Sequence, residues 1–174
     1  MFKRFETLVD PYPADDAGLP PASFWRFIWH YSRPMAPWLV IMSVLTAVLS
    51  VIELVFFSFT GTLVDWLNAG DRAGFLVAHG WALGGMAAIT LVGFPAVALV
   101  QALLMFQTSF GSYPMLVRWR AHRHLLRQSL SFFQDEFAGR VSQKVMQTSL
   151  AVRETVMKLM DVGVYIVTMF VGTA

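Results

Sequence analysis

One carboxylate inside a long apolar stretch is the first residue that could do chemistry. Glu53 is the only formally charged residue between Pro34 and Val64. A carboxylate within a bilayer is costly, so it should face a helix partner or a water-filled cavity. Two interpretations stay open: a substrate-pathway or proton-linked group, and a protonated or hydrogen-bonded packing residue.

A basic stretch offers the other candidate chemistry, with Arg118, Arg120, Arg123, Arg127, His122 and His124 within ten positions. The two histidines are two residues apart, so they diverge on a helix and make a poor metal pair. His30 and His79 are expected near opposite membrane edges, which disfavours a haem between spans. The chain has no cysteine, which excludes disulfides and thiolate sites. Because a basic cluster beside an apolar run is explained by membrane topology and anionic lipid, we predict no metal, no bound cofactor and no nucleic-acid partner for this chain.

The composition predicts an integral membrane protein. Hydrophobic residues make up 56% of the 174 positions and charged residues 14%, whereas about a quarter of a soluble chain is charged. The apolar residues concentrate in two runs, Pro34–Val64 and Gly74–Val117, which have the length of membrane-spanning helices. We predict an all-α membrane protein with an N-terminal interfacial helix, two long transmembrane helices extending into the cytosol, a short coupling helix and the start of a third span.

The second apolar run, Phe75 to Val117, is longer than one ordinary span and could form two, with a turn near Gly93-Phe94-Pro95. Of the 13 Lys and Arg residues, four precede the first span, eight follow the second run, and Arg72 alone lies between. The positive-inside tendency favours one crossing that leaves both clusters in the cytosol. We therefore predict one helix kinked at its prolines, and a multi-pass protein of a bacterial inner membrane with a cytosolic N-terminus.

The remaining boundaries follow from composition. Residues 1–22 are polar and proline-rich, which predicts a flexible tail. Residues 23–33 predict an aromatic interfacial helix that Ser23 caps and that Pro34 and Pro37 break. Residues 34–174 form the membrane domain, with span 1 at about 35–67, span 2 and its extension at about 74–130, and span 3 from about 140. Asp161 marks membrane re-entry, and Val162–Ala174 is shorter than the roughly 20 residues a span needs, so we expect a shortened third span in a chain that is part of a longer protein.

A polar joint separates the second and third long helices. Ser131-x-x-Gln134 fits a capping box, and Gly139 is suited to end the short helix that follows, which we predict at about 131–138. Phe132, Phe133 and Phe137 are expected far from lipid, where exposed aromatic side chains usually dock a partner. The next helix should pack through a stripe with helical spacing: Val141, Val145, Ser149, Val152, Val156 and Met160.

A family resemblance rests on this joint. The run Leu130-Ser131-Phe132-Phe133-Gln134-Asp135-Glu136-Phe137-Ala138-Gly139-Arg140-Val141-Ser142-Gln143-Lys144-Val145, followed by Ala151-Val152-Arg153-Glu154, resembles the N-terminal part of the transmembrane domain of an ATP-binding-cassette (ABC) exporter, of the type IV, multidrug-exporter-like class. The aromatic helix before the first span and the Leu63-Val64-Asp65 turn are also similar. The resemblance covers about Phe24 to the end of the chain.

The resemblance implies a six-span domain that pairs with a second transmembrane domain as a homodimer or heterodimer. A transverse coupling helix would dock on a nucleotide-binding domain, in the same parent chain or a separate one, through Ser131, Phe132, Phe133, Gln134, Asp135, Glu136, Phe137 and Gly139. ATP and Mg²⁺ would bind that domain, because this chain has no Gly-x-x-x-x-Gly-Lys-[Ser/Thr] loop to hold phosphates. Glu53 would then line the substrate path. The alternative is a small non-enzymatic integral membrane protein that binds a cytosolic partner through the same loop.

Overall fold

The computed structural model describes residues 8–14, 18–68, 75–135 and 138–174, with the side chains at positions 130, 134, 135 and 138 outside that description. These residues form helices and no strand. Three stretches, Phe24–Asn68, Phe75–Leu125 and Gly139–Thr173, are long and apolar enough to cross a membrane. The predicted all-α membrane fold is therefore confirmed for the described residues, which contain α1 (Phe24–Ser32), α2 (Ala36–Asn68), α3 (Phe75–Leu125), α4 (Leu130–Asp135) and α5 (Ala138–Thr173).

The chain divides into two compact units. The first unit contains Met1–Met42 and Leu103–Met160, and the second contains Ser43–Ala102 and Asp161–Ala174. Each unit therefore includes parts of α2, α3 and α5. The predicted coupling region belongs to the first unit, and Glu53 belongs to the second.

The join between α1 and α2 is a tightened helical turn. Arg33–Met35 forms a 3₁₀ turn, and Arg33 (φ −49°, ψ −43°) and Ala36 (φ −50°, ψ −46°) keep right-handed helical dihedrals. The predicted break at Pro34 and Pro37 therefore takes the form of a 3₁₀ turn with helical dihedrals, because proline fits the first turn of a helix, where its missing N–H is not needed. Ser23 is the N-cap residue by position, but its side chain makes no capping hydrogen bond.

The second apolar run is one helix, α3, as the charge distribution predicts. It contains two π-helical stretches, Ile89–Gly93 and Leu104–Ser109, and no turn at Gly93-Phe94-Pro95. The ring of Pro95 would clash with the carbonyl four residues earlier in a regular α-helix, and that carbonyl lies within the first π stretch. The wider π turn accommodates the proline, so the helix continues where a break was the other possibility.

In the second unit, α2 and α3 are antiparallel. Gln101 bonds Thr46 at 2.8 Å, and at the other end the His79 ring stacks on Trp66 with centroids 3.9 Å apart. Residue numbers therefore fall along α3 as they rise along α2. Helix α5 runs parallel to α2, because Asp161 contacts Thr46 and Tyr165 contacts Glu53 further along.

A buried layer joins α1 to α3 in the first unit. The Tyr113 hydroxyl lies 2.5 Å from Ser32 Oγ, and both residues are almost fully buried. Ser32 Oγ also donates to the Ile28 carbonyl at 2.6 Å, so it accepts the hydrogen bond from Tyr113. Met35 and Leu116 are fully buried in the same unit. This polar pair inside an apolar layer fixes the position of α1 on α3.

Part of the predicted N-terminal tail packs against α3. The Pro13 carbonyl accepts hydrogen bonds from Trp119 Nε1 at 3.1 Å and from Arg123 at 3.3 Å, and Ala14 accepts another from Arg123 at 2.9 Å. The Tyr12 ring meets the Trp119 ring edge-on with centroids 5.4 Å apart. Val9 is buried. Residues 9–14, here called the N-terminal strap, are therefore held by α3, which a polar, proline-rich composition does not predict.

Candidate functional site

Glu53 lies on α2 and has a partner on α5. The Tyr165 hydroxyl donates a hydrogen bond to Glu53 Oε2 at 3.2 Å. This contact satisfies the requirement that a carboxylate in an apolar span meet a neighbouring helix. A phenol hydrogen bond suits both a packing carboxylate and a group facing a substrate path, so the role predicted for Glu53 stays a prediction.

A second polar cluster, at Thr46, was not singled out from the sequence. Thr46 Oγ1 donates to Asp161 Oδ1 at 2.8 Å and accepts from Gln101 Nε2 at 2.8 Å. One side chain from each of α2, α3 and α5 therefore meets here, and Thr46 itself is buried. Asp161, interpreted from the sequence as a marker of membrane re-entry, is thus a bonded residue of the second unit. The sequence did contain a signal for this role, because an acid within a helix of span length is expected to have a polar partner.

Helix α4 begins one residue earlier than the predicted coupling helix. The N–H of Phe132 donates to Ser129 Oγ at 3.4 Å, and Ser129 Oγ lies 2.8 Å from Ser131 Oγ. Ser129, three residues before Phe132, is therefore the capping residue, and the predicted capping role of Ser131 is wrong.

The predicted end of this short helix also needs correction. Gly139 is the second residue of α5 and has a helical backbone, so it opens the next helix instead of ending α4. A glycine with a left-handed conformation is not needed there because the chain re-enters a helix at Ala138. Glu136 and Phe137 lie outside the described residues, as do the side chains of Gln134 and Asp135.

The two aromatic residues of α4 that the structure describes touch each other. Phe132 and Phe133 meet edge-on with ring centroids 5.3 Å apart, and Phe133 is 40% exposed. Phe133 also lines a cavity of about 320 Å³ between α3, α4 and α5, whose other apolar walls are Leu125, Val141, Val145 and Met146. The joint therefore presents one aromatic ring both to a cavity and to the surface.

Helices α3 and α5, which precede and follow α4 in the chain, are connected by a hydrogen bond and a cation–π contact. Arg118 Nε donates to Ser149 Oγ at 3.0 Å, and Ser149 is fully buried. The Arg153 guanidinium lies 4.5 Å from the centroid of the Phe110 ring, a cation–π distance. The contact of the earlier α3 residue, Phe110, is with the later α5 residue, Arg153, so residue numbers rise along α3 as they fall along α5. The two helices are therefore antiparallel here. These contacts hold α3 and α5 against each other next to α4.

No group of three or more His, Cys, Asp or Glu side chains that could hold a metal occurs among the residues that the structure describes. The sequence also contains no phosphate-binding loop of the kind that cradles ATP. The described residues form a polar joint at α4, between two helices that contact each other, and polar contacts between apolar helices.

The fold and these contacts define a helical membrane protein with three candidate spans. No protein-family model matches the chain. No solved structure matches it either.

The chain is 43% identical over 171 residues to an uncharacterised ABC transporter ATP-binding protein of Haemophilus influenzae. The matched stretch is 98% of this chain and 28% of that relative, so the chain spans well under half of the length of the relative. The resemblance to ABC transporter proteins is thus confirmed: the chain is similar, over nearly all its length, to part of a protein named as an ABC transporter component.

Proposed function

We propose that this chain is a membrane-spanning part of an ATP-driven ABC-type exporter. It would couple ATP binding and hydrolysis in a nucleotide-binding domain, which this sequence does not contain, to substrate movement across the membrane. The observation that carries the proposal is the 43% identity, over 98% of the chain, with a protein named as an ABC transporter ATP-binding protein. A relative of that name suits a polypeptide that joins membrane helices to an ATPase.

The mechanism rests on α4 and the helices on either side of it. A short helix that connects two long helices can transmit a displacement to both if the two long helices move together. The Arg118–Ser149 hydrogen bond and the Arg153–Phe110 contact hold α3 and α5 together close to α4. A displacement of α4 by an ATPase partner would therefore move α3 and α5 as one lever, in a rigid-body transition.

The aromatic residues of α4 provide the test. In the complete protein that contains this chain, we expect Phe132→Ala and Phe133→Ala, and Phe137→Ala on the sequence prediction, to lower transport while membrane insertion is kept. Loss of an aromatic anchor from a protein interface typically costs about 2 kcal/mol or more, which corresponds to a transport loss of about thirtyfold or greater when docking limits the rate. The measurement is substrate-stimulated ATPase activity together with ATP-dependent transport in vesicles.

Leu126→Ala is the matched control, because Leu126 is an apolar residue of the same joint that is 69% exposed and precedes α4. It should leave both activities unchanged. Transport at the control level in all three phenylalanine variants would contradict the coupling role. A stop codon after Ala174, with no ATPase encoded nearby, would instead favour a small non-enzymatic membrane protein that uses the same joint for a cytosolic partner.

The proposal extends to partners and location. Pairing with a second transmembrane domain, as a homodimer or heterodimer, follows from the family resemblance and from the prevalence of symmetric assemblies. The bilayer would be a bacterial inner membrane, with the N-terminus and the joint in the cytosol. ATP and Mg²⁺ would act in the nucleotide-binding domain, and Glu53 is the candidate for the substrate path.

A further inference from the structure

The cavity between α3, α4 and α5 has an uneven distribution of charge. Its apolar walls are interrupted by Arg118, His122 and Ser142, and no Asp or Glu is among the described residues that line it. Its volume of about 320 Å³ is at the lower end of the range of about 300–1,000 Å³ for small-molecule sites. The cavity thus combines an apolar surface with the cationic hydrogen-bond donors of Arg118 and the polar side chains of His122 and Ser142.

The protein uses only part of the hydrogen-bonding capacity of the Arg118 guanidinium. Its Nε–H donates to Ser149 Oγ at 3.0 Å, and the residue is half-buried. Its terminal Nη atoms have no carboxylate within ion-pair distance in the part of the chain that the structure describes. A half-buried guanidinium without a counter-charge is unfavourable, and its planar donors match a carboxylate. His122 follows four residues later on α3, on the same face.

We propose that this cavity binds a small amphipathic anion, a carboxylate carried by an unbranched apolar chain. The carboxylate would lie at Arg118 and His122, and the chain would lie against Val145 and Met146. The ligand would come from solution and not from the bilayer, because every lining residue follows the end of the apolar run at Val117. Since Phe133 of α4 forms one wall, an occupied cavity would restrain α4 against α3 and α5.

The test uses the absence of cysteine from this chain. Ser142→Cys introduces a thiol at the cavity, and Gln143→Cys introduces one at the next position, which is exposed and does not line the cavity. Both are made in the complete protein with any other cysteines replaced, and maleimide labelling is followed in open membrane fragments. We expect octanoate at twice its dissociation constant to slow labelling of Ser142→Cys about threefold by mass action, with no change at Gln143→Cys.

Charge is tested with ligands of the same chain length. Octanol and octylamine should give no protection, because neither supplies a negative group for Arg118. Equal protection by octanol would show simple apolar partitioning and would overturn the proposal, as would equal protection at both cysteines or at neither.

Two cavity variants provide a further check. Met146→Trp, which fills the cavity from an exposed position, and Arg118→Met should each abolish protection of Ser142→Cys by octanoate. A size-exclusion profile in detergent that matches the parent protein shows that each variant is folded. Protection that survives both variants would overturn the proposal. Labelling requires neither transport nor ATP hydrolysis, so this outcome is independent of the proposed exporter function.

Discussion

Thr46 is the shared centre of a polar cluster in the second unit that connects three helices. It is the shared partner of Gln101 on α3 and Asp161 on α5, with both bonds at 2.8 Å. Thr46→Val keeps the shape of the side chain and removes both bonds. Because hydrogen bonds between membrane helices contribute about 0.6 to 2 kcal/mol each, we expect the free energy of unfolding to fall by about 1–3 kcal/mol, as measured by denaturation of the purified protein with a strong detergent.

Thr60→Val is the matched control for this substitution. Thr60 Oγ1 bonds only the Phe56 carbonyl of its own helix, and the residue is exposed. Its replacement removes the same hydroxyl without affecting contacts between helices, so stability should stay near the parent value. Equal losses at the two positions would mean that the Thr46 cluster does not hold α2, α3 and α5 together.

Single residues show where sequence reasoning reaches its limit. Glu53 could be singled out because an acid in an uncharged run is conspicuous by itself. The Thr46 cluster offered only Asp161 as such a signal, because Thr and Gln are ordinary in apolar helices until a partner from another helix is known. Tyr113 and Ser32 are a similar case: their hydrogen bond joins positions 81 residues apart, and no local pattern encodes such a pairing.

At the scale of elements, the N-terminal strap gives a testable consequence. Trp119→Phe removes the Nε1–H donor to the Pro13 carbonyl and keeps an aromatic ring next to Tyr12. Loss of one such hydrogen bond costs about 1 kcal/mol, so transient opening of the strap should increase about fivefold. Hydrogen exchange of the amides of residues 9–14 is the measurement.

The same substitution at Trp29 serves as the control for the strap. Trp29 lies on α1 and is 62% exposed, so Trp29→Phe should leave exchange of the strap amides at the parent rate. If exchange rises equally in both variants, or in neither, α3 does not hold the strap through Trp119.

The elements divide into those that local sequence encodes and those that it does not. Hydropathy and charge predict the long helices, and helical spacing predicts the packing stripe of α5, where Val141, Ser149, Val152 and Val156 are buried. Met160, at the end of that stripe, is 40% exposed, because burial of each turn depends on which helix faces it. The π turns of α3 and the choice of Ser129 as the cap of α4 depend on backbone geometry that several nearby residues could satisfy equally well.

At the scale of the whole molecule, helix length changes one expectation about the third span. Val162–Ala174 alone is too short to cross a membrane, whereas the helix Gly139–Thr173 is long and apolar enough to do so. Asp161 need not mark the membrane surface, because Thr46 provides it with a hydrogen bond within the second unit. The position of the third span in the membrane therefore stays a prediction.

The direction of the helices leads to the last prediction, the sidedness of the joint. In the second unit α3 runs back along α2, so residues near the end of α2 and residues after α3 should lie on opposite sides of the membrane if each helix crosses once. Leu67, near the end of α2, is 57% exposed, and Leu126, just after α3, is 69% exposed. Because the positive-inside tendency places the basic end of α3 in the cytosol, Leu67→Cys should react with a membrane-impermeant maleimide in intact cells, and Leu126→Cys should react only after permeabilisation. Labelling of Leu126→Cys in intact cells would place α4 on the outer face, where no cytosolic ATPase could reach it.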